Sequence, residues 1–222
     1  MFRDALVIAT KDLMVEWRSR TTLGQVAPLG LLVLVVFAFA FDANATLLEA
    51  GGPGLFWVAV LFGGVLVIQR TFAVESDDGN RDALLLSGLQ PGGIFLGKLV
   101  GIAIQLLVLE VVVFVGVIVF FENSVDDVAL LIGAALAGTA AFSAAGALIG
   151  ALSMGVRLRD TLLPLLLIPV LAPILLAGTR AFESAFGVST VAGWNWTGLL
   201  CVIAAVYIAI GLVAFGPLLE DG

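Results

Sequence analysis

Three groups of residues have the types and spacing to do chemistry. The run Gly92-Gly93-Ile94-Phe95-Leu96-Gly97-Lys98-Leu99 matches a phosphate-binding loop in all but its last position. That position needs a hydroxyl to ligate magnesium, and here it is Leu99. No strand-like run precedes the glycines, and the residues after them form an apolar span instead of a helix opening at a phosphate. The nucleotide reading is therefore rejected. Gly97 and Gly101 read as thinning the start of a helix for close packing, and Lys98 as a charge anchoring its end. The second group is the polar stretch from Arg70 to Lys98, which holds Glu75, Asp77, Asp78, Arg81, Asp82 and Ser87. Its acids sit in a solvated turn with Gly79, and neither Ser87 nor Ser143 has a histidine to activate it, because the chain has none. The third is Glu110, a lone carboxylate deep in an apolar run, where an ionisable group costs about 2.5–3.5 kcal/mol on insertion scales. It either lines a cavity and handles protons, or hydrogen-bonds a neighbouring helix with Gln105 as companion.

The lack of histidine also removes the usual axial ligand for haem iron. No cluster has metal-ligand spacing, and Cys201 stands alone in an apolar run. The chain reads as non-enzymatic, with no cofactor bound directly and no basic patch for nucleic acid.

The elements that must position these groups belong to a membrane. Hydrophobic residues are 61% of the 222 and charged residues 12%, so the solvent for most of the chain is hydrocarbon. Six apolar runs approach the ~20 residues needed to cross as a helix: Gln25 to Phe41, Pro53 to Ile68, Leu99 to Phe121, Val128 to Met154, Thr161 to Thr179 and Trp196 to Pro217. Arg3, Lys11, Arg18, Arg20, Arg70, Arg81, Lys98, Arg157 and Arg159 fall on one side of that layout. Asp42, Glu49, Glu122, Asp126, Asp127 and Glu183 fall on the other, with Arg180. The positive-inside rule then makes both termini cytoplasmic. The net charge of -7 says less than this placement does.

Residues 1–24 form the first unit, an interfacial helix on which Phe2, Leu6, Ala9, Leu13 and Trp17 make an apolar stripe and Asp4, Lys11 and Arg18 another face. Residues 25–222 form a six-span domain with a connecting loop over 70–98. Gly138, Gly146 and Gly150 share a face of the fourth span, for packing within the chain or between two copies. Pro164, Pro169 and Pro173 should bend or break the fifth span, as a gating element or a static kink. Trp57, Trp194, Asn195 and Trp196 read as an aromatic interface belt.

Phe72-x-x-Glu75-x-x-Asp78-Gly79, followed by Leu84, Leu85 and Leu86, then Ser87-Gly88-Leu89 and Lys98, resembles the CcmB family. So does the opening Lys11-Asp12-Leu13-x-x-Glu16-Trp17-Arg18-Ser19-Arg20 with a first span ending Phe37-Ala38-Phe39-Ala40-Phe41. The chain departs from the family at Ser87-Gly88, commonly Ser-Pro, and at Asn80-Arg81-Asp82, where the acid after Asp-Gly is displaced. The resemblance implies an ABC-2-like permease of the bacterial inner membrane, acting in cytochrome c maturation with the ATPase CcmA, with CcmC and CcmD, and with the haem chaperone CcmE. It implies ATP on the partner, haem handled by the complex, and, since ABC logic needs two membrane halves, a homodimer. Glu75, Asp78, Gly79, Arg81, Leu84, Leu85, Leu86, Ser87 and Leu89 are then the expected ATPase-coupling residues. The rival readings are an ion-coupled secondary transporter working through Glu110 and the fifth span, and a non-transporting membrane scaffold.

Overall fold

The computed structural model describes residues 1–19, 22–42, 44–76, 88–153 and 159–221. Among them are seven α-helices: α1 (Phe2–Ser19), α2 (Ala27–Ala40), α3 (Ala45–Ser76), α4 (Pro91–Phe121), α5 (Val128–Ser153), α6 (Arg159–Ala185) and α7 (Gly193–Asp221). A π-helical turn over Thr22–Val26 leads into α2.

Sequence chemistry sets the boundaries. Pro91 opens α4 at its first turn, where a missing N–H costs nothing, behind an extended Gln90. The Asn44 and Asp127 side chains accept the Leu47 and Leu130 amides at 3.2 and 2.9 Å, capping α3 and α5. Glu122 ends α4 in the left-handed region, at φ 54°.

Five helices, α3 to α7, are long and apolar enough to cross a membrane. The first expected span is shorter than its apolar run: α2 has 14 residues, about 21 Å, against a hydrocarbon core of ~30 Å. It reaches crossing length only together with the segment before it, from which it is bent, so the spans number five, or six with that bent pair. The second is much longer than Pro53 to Ile68. α3 has 32 residues, about 48 Å, and runs through Pro53 without interruption. α6 is likewise unbroken across Pro164, Pro169 and Pro173, so the expected break is absent. Pro169 and Pro173 lie on its exposed face.

The loops between α2 and α3, α4 and α5, and α6 and α7 meet at one end. Asn123 donates to the Glu49 carbonyl at 2.9 Å, and the Asp126 and Asp127 amides donate to the Ala185 carbonyl. This is the acidic end, and its one arginine, Arg180, pairs with Glu183 at 2.8 Å. At the other, basic end, Met1 and Leu212 both lie against Gly92, and Pro91 against Gly216. The N-terminus, the start of α4 and the end of α7 therefore share an end.

Candidate functional site

The basic end is built around the first residues of α4. Gly93, Gly97 and Gly101 recur every fourth residue, which places them on one helix face. α1 lies in the groove they make. A Cβ at Gly93 would come within 2.9 Å of the Met1 carbonyl oxygen, and one at Gly97 within 2.7 Å of the Ala5 carbonyl oxygen. Backbone-to-backbone approach of this kind is open only to small residues. The near-match to a phosphate loop thus has a packing cause, as expected for Gly97 and Gly101, and the partner is α1.

α1 presents three faces. Met1, Asp4, Ala5, Ile8 and Asp12 follow three- and four-residue steps and face α4. Phe2, Leu6 and Trp17 of the expected stripe stay exposed, as an interfacial stripe requires, whereas Ala9 is buried and Leu13 half-buried. Arg3, Lys11 and Arg18 are exposed on the third side. Asp4, Lys11 and Arg18, seven residues apart, share one side of this helix as expected, but the Asp4 and Asp12 carboxylates turn toward α4 while the basic ends stay outside.

The reason is Lys98. Expected as a flanking anchor, it is 0% exposed. Its ammonium lies 2.9 Å from Asp12 Oδ2 and donates to the Thr71 carbonyl of α3 at 3.4 Å. It also sits 5.4 Å from the centroid of the Phe72 ring. One side chain on α4 therefore ties α1 to the last turns of α3. Further polar contacts close the same corner. The Thr22 amide donates to Glu16 Oε1, Arg70 donates to Gln25 Oε1, and the Gln90 amide donates to Asp4 Oδ2 at 3.3 Å. A cavity of about 230 Å³ remains under α1, walled by Asp12, Glu16, Ser19, Arg70, Thr71 and Gln105. Sequence reasoning missed the Asp12–Lys98 pair, although both residues stood inside the quoted motifs.

Of the expected coupling residues, Asp78, Gly79, Arg81, Leu84, Leu85, Leu86 and Ser87 lie outside the described residues. Glu75 falls in the last turn of α3. Gly88 has φ 70°, and Leu89 follows it outside any helix, partly buried against the bundle's own core. Leu89 seats the returning chain on that core. Residues 77–87 connect α3 to α4, the two helices that Lys98 joins to α1.

The other expected site residues lie elsewhere. Glu110 is 4% exposed, on the face of α4 toward α5. Thr139 of α5 donates to its Oε1 at 2.6 Å, whereas Gln105 bonds the Gly101 carbonyl and lies near Thr22. The bond to a neighbouring helix is thus present, made by Thr139 and without Gln105. Trp57, expected at the membrane interface, is 1% exposed. It occupies the gaps at Gly138 of α5 and Gly178 of α6. Gly146 and Gly150 likewise receive Ile68 and Phe72, so the glycine face of α5 is used within the chain, by α3. Trp194 is exposed at the start of α7, as a belt residue would be, and Trp196 is partly buried.

These features define a polytopic α-helical membrane protein whose amphipathic N-terminal helix is docked on the ends of two long spans. The family is shown by comparison: the chain belongs to the CcmB protein family, whose model matches residues 3–220. It is similar to heme exporter protein B of Haemophilus influenzae, 26% identical over 216 residues, covering 96% of this chain and 93% of the relative. Heme exporter protein B of Pseudomonas aeruginosa is 25% identical over 82% of both chains, and that of Bradyrhizobium diazoefficiens 26% over 86% of both. Bundles of apolar helices belong to the inner membrane of such bacteria, since their outer membrane is spanned by β-barrels. The chain is a multi-pass protein of that membrane.

Proposed function

We propose that this chain is the membrane permease subunit of a haem-export complex serving cytochrome c maturation, with both termini in the cytoplasm, and that it is moved by a partner ATPase. The partner is of the CcmA kind and carries the ATP. It engages residues Glu75 to Leu89, with Leu84, Leu85 and Leu86 filling an apolar groove on the ATPase while Asp78 and Arg81 face its rim. Motion there is passed to α3 and α4 and drives haem delivery, or release of the haem-loaded chaperone CcmE, within an assembly that includes CcmC and CcmD. A second copy of this chain supplies the other membrane half.

The observation that carries this reading is the Lys98 node. A buried ammonium held by Asp12 of α1 and the Thr71 carbonyl of α3 makes the three helices around the 77–87 connection one mechanical unit. A push on that connection then reaches two spans and the interfacial helix together. The length of α3 and α4 fits the same role, since rods of about 48 and 46 Å outreach a ~30 Å core.

The test is purification of the tagged chain from its native membrane. An ATP-binding subunit should accompany it, and charge reversal at Asp78 or removal of Leu84 to Leu86 should release that subunit and stop cytochrome c assembly. If no ATPase is recovered and both variants assemble cytochrome c normally, the reading fails. An ATPase-independent defect confined to Glu110→Gln would favour the secondary transporter instead.

A further inference from the structure

Glu110 does more than bond Thr139. Its second oxygen, Oε2, is buried and has no hydrogen-bond partner among the described residues. The residue lines a cleft of about 280 Å³ between α4 and α5, floored by Phe56 of α3 and Phe182 of α6. Apart from Glu110 the walls are apolar, and the mouth is formed by Val111, Ile132 and Leu136, each more than half exposed on the outer face of the bundle. That face meets hydrocarbon. Glu110 lies 11 residues before the end of α4 at Phe121, about 16 Å along the helix, so the cleft opens well inside the apolar layer.

An acyl chain can fill such a space but offers nothing to Oε2. An unmatched polar oxygen in an apolar setting costs several kcal/mol, and Thr139 already spends its contact on Oε1. We infer that the cleft is a binding site for a molecule dissolved in the bilayer that has an apolar chain or ring body and one hydrogen-bond donor, a hydroxyl or an amine, which Oε2 accepts. The volume is at the small end of ligand pockets, ~300 Å³, which suits a medium-length chain or a compact ring system. The site is separate from the Lys98 node and does not depend on the proposed ATPase coupling.

The test uses the full chain in phosphatidylcholine nanodiscs with a photoreactive decanol and, as control, the nonyl methyl ether carrying the same photoreactive group, an isomer that lacks the donor. Labelled peptides are mapped after irradiation. The alcohol should label the peptides carrying Leu107, Val111 and Leu136 about fivefold more than the ether, the worth of one net hydrogen bond. A decylamine analogue run in parallel distinguishes hydroxyl from amine. Leu136→Trp, which fills the cleft from its wall, should abolish labelling by both compounds. Glu110→Leu should bring the alcohol down to the ether. Equal labelling by alcohol and ether in the unmodified chain would overturn the inference and leave a groove filled by lipid. So would crosslinks joining two copies through these residues, which would make the cleft a protein interface.

Discussion

The two ends of the bundle are held together by different physics. Toward the acidic end, Trp57 fills the gaps at Gly138 and Gly178, and Phe56 meets Trp57 and Phe182 at centroid distances of 5.4 and 4.7 Å. Phe186 continues the cluster from Phe182 and stacks on Phe114. At the basic end, α1 is fixed by one buried ion pair, a few hydrogen bonds and close backbone approach at Gly93 and Gly97. Lipid gives no hydrophobic drive to bring helices together, so each end depends on contacts of its own kind. Interlocked rings cannot shift without opening voids, and that end is a frame. An ion pair and a carbonyl contact can be exchanged for others, and that end is the one carrying the 77–87 connection.

The sharpest way to break the frame is Trp57→Ala. Removing a ring fitted between two helices should destabilise the bundle by about 3–5 kcal/mol, read as a lower unfolding midpoint in detergent for all spans together. Asp12→Ala should do something different. It strands the Lys98 ammonium in the protein, a loss of about 3–5 kcal/mol when one partner of a buried pair is removed. The effect should centre on α1 and the last turns of α3, as faster hydrogen exchange there with α5 to α7 little changed. Lys98→Met in that background should recover much of the loss, since no buried charge remains. Uniform exchange across the bundle in Asp12→Ala would erase the distinction between the ends. Gly97→Ala follows in size. Its Cβ meets the Ala5 carbonyl, which is backbone and yields only if α1 lifts, so about 1–3 kcal/mol of docking is expected to be lost. The variant should leave Trp57 packing untouched, as near-ultraviolet circular dichroism would report.

How much of this was legible in the sequence follows the same division. Apolar runs gave the helices, because hydrocarbon demands long uninterrupted ones, and the family resemblance in the 72–89 and 11–20 motifs is matched by relatives along nearly the whole chain. Small residues at four-step spacing marked both glycine faces correctly as packing faces. What the spacing could not supply was the partner: nothing in Gly93 and Gly97 points to α1, and nothing in Gly138 points to Trp57. Side-chain type misled wherever the tertiary context overrode it. A tryptophan near a span end reads as a belt residue, and a lysine at a span start reads as an anchor, yet both are buried because a shaped gap or a carboxylate awaits them. The prolines of α6 do not break it for a related reason, since long helices in membranes accommodate them through local adjustment. Helix ends were short by up to eight residues in α3, where polar residues continue a helix beyond the apolar core.

The smallest expected effect tests whether the basic end responds to its surroundings at all. Asp4 sits beside the N-terminal ammonium at 3.2 Å and accepts the Gln90 amide. These two contacts, in that order, hold its carboxyl below the ordinary aspartate value of 3.8. A carboxyl with a depressed folded-state value stabilises the docked form at pH above its unfolded value. That contribution is lost as the pH falls through the folded one. As the pH falls below about 4, the first turn of α1 should therefore loosen from Gln90 in the unmodified chain. Asp4→Asn isolates the effect: it keeps an acceptor for the Gln90 amide and removes the titrating charge. Amide exchange in α1, compared between the two chains at each pH to cancel the intrinsic rate, should differ near neutrality and converge in acid. Parallel curves would show that the ion pair at the chain start does not help hold α1, and that Lys98 and the glycine groove dock it alone.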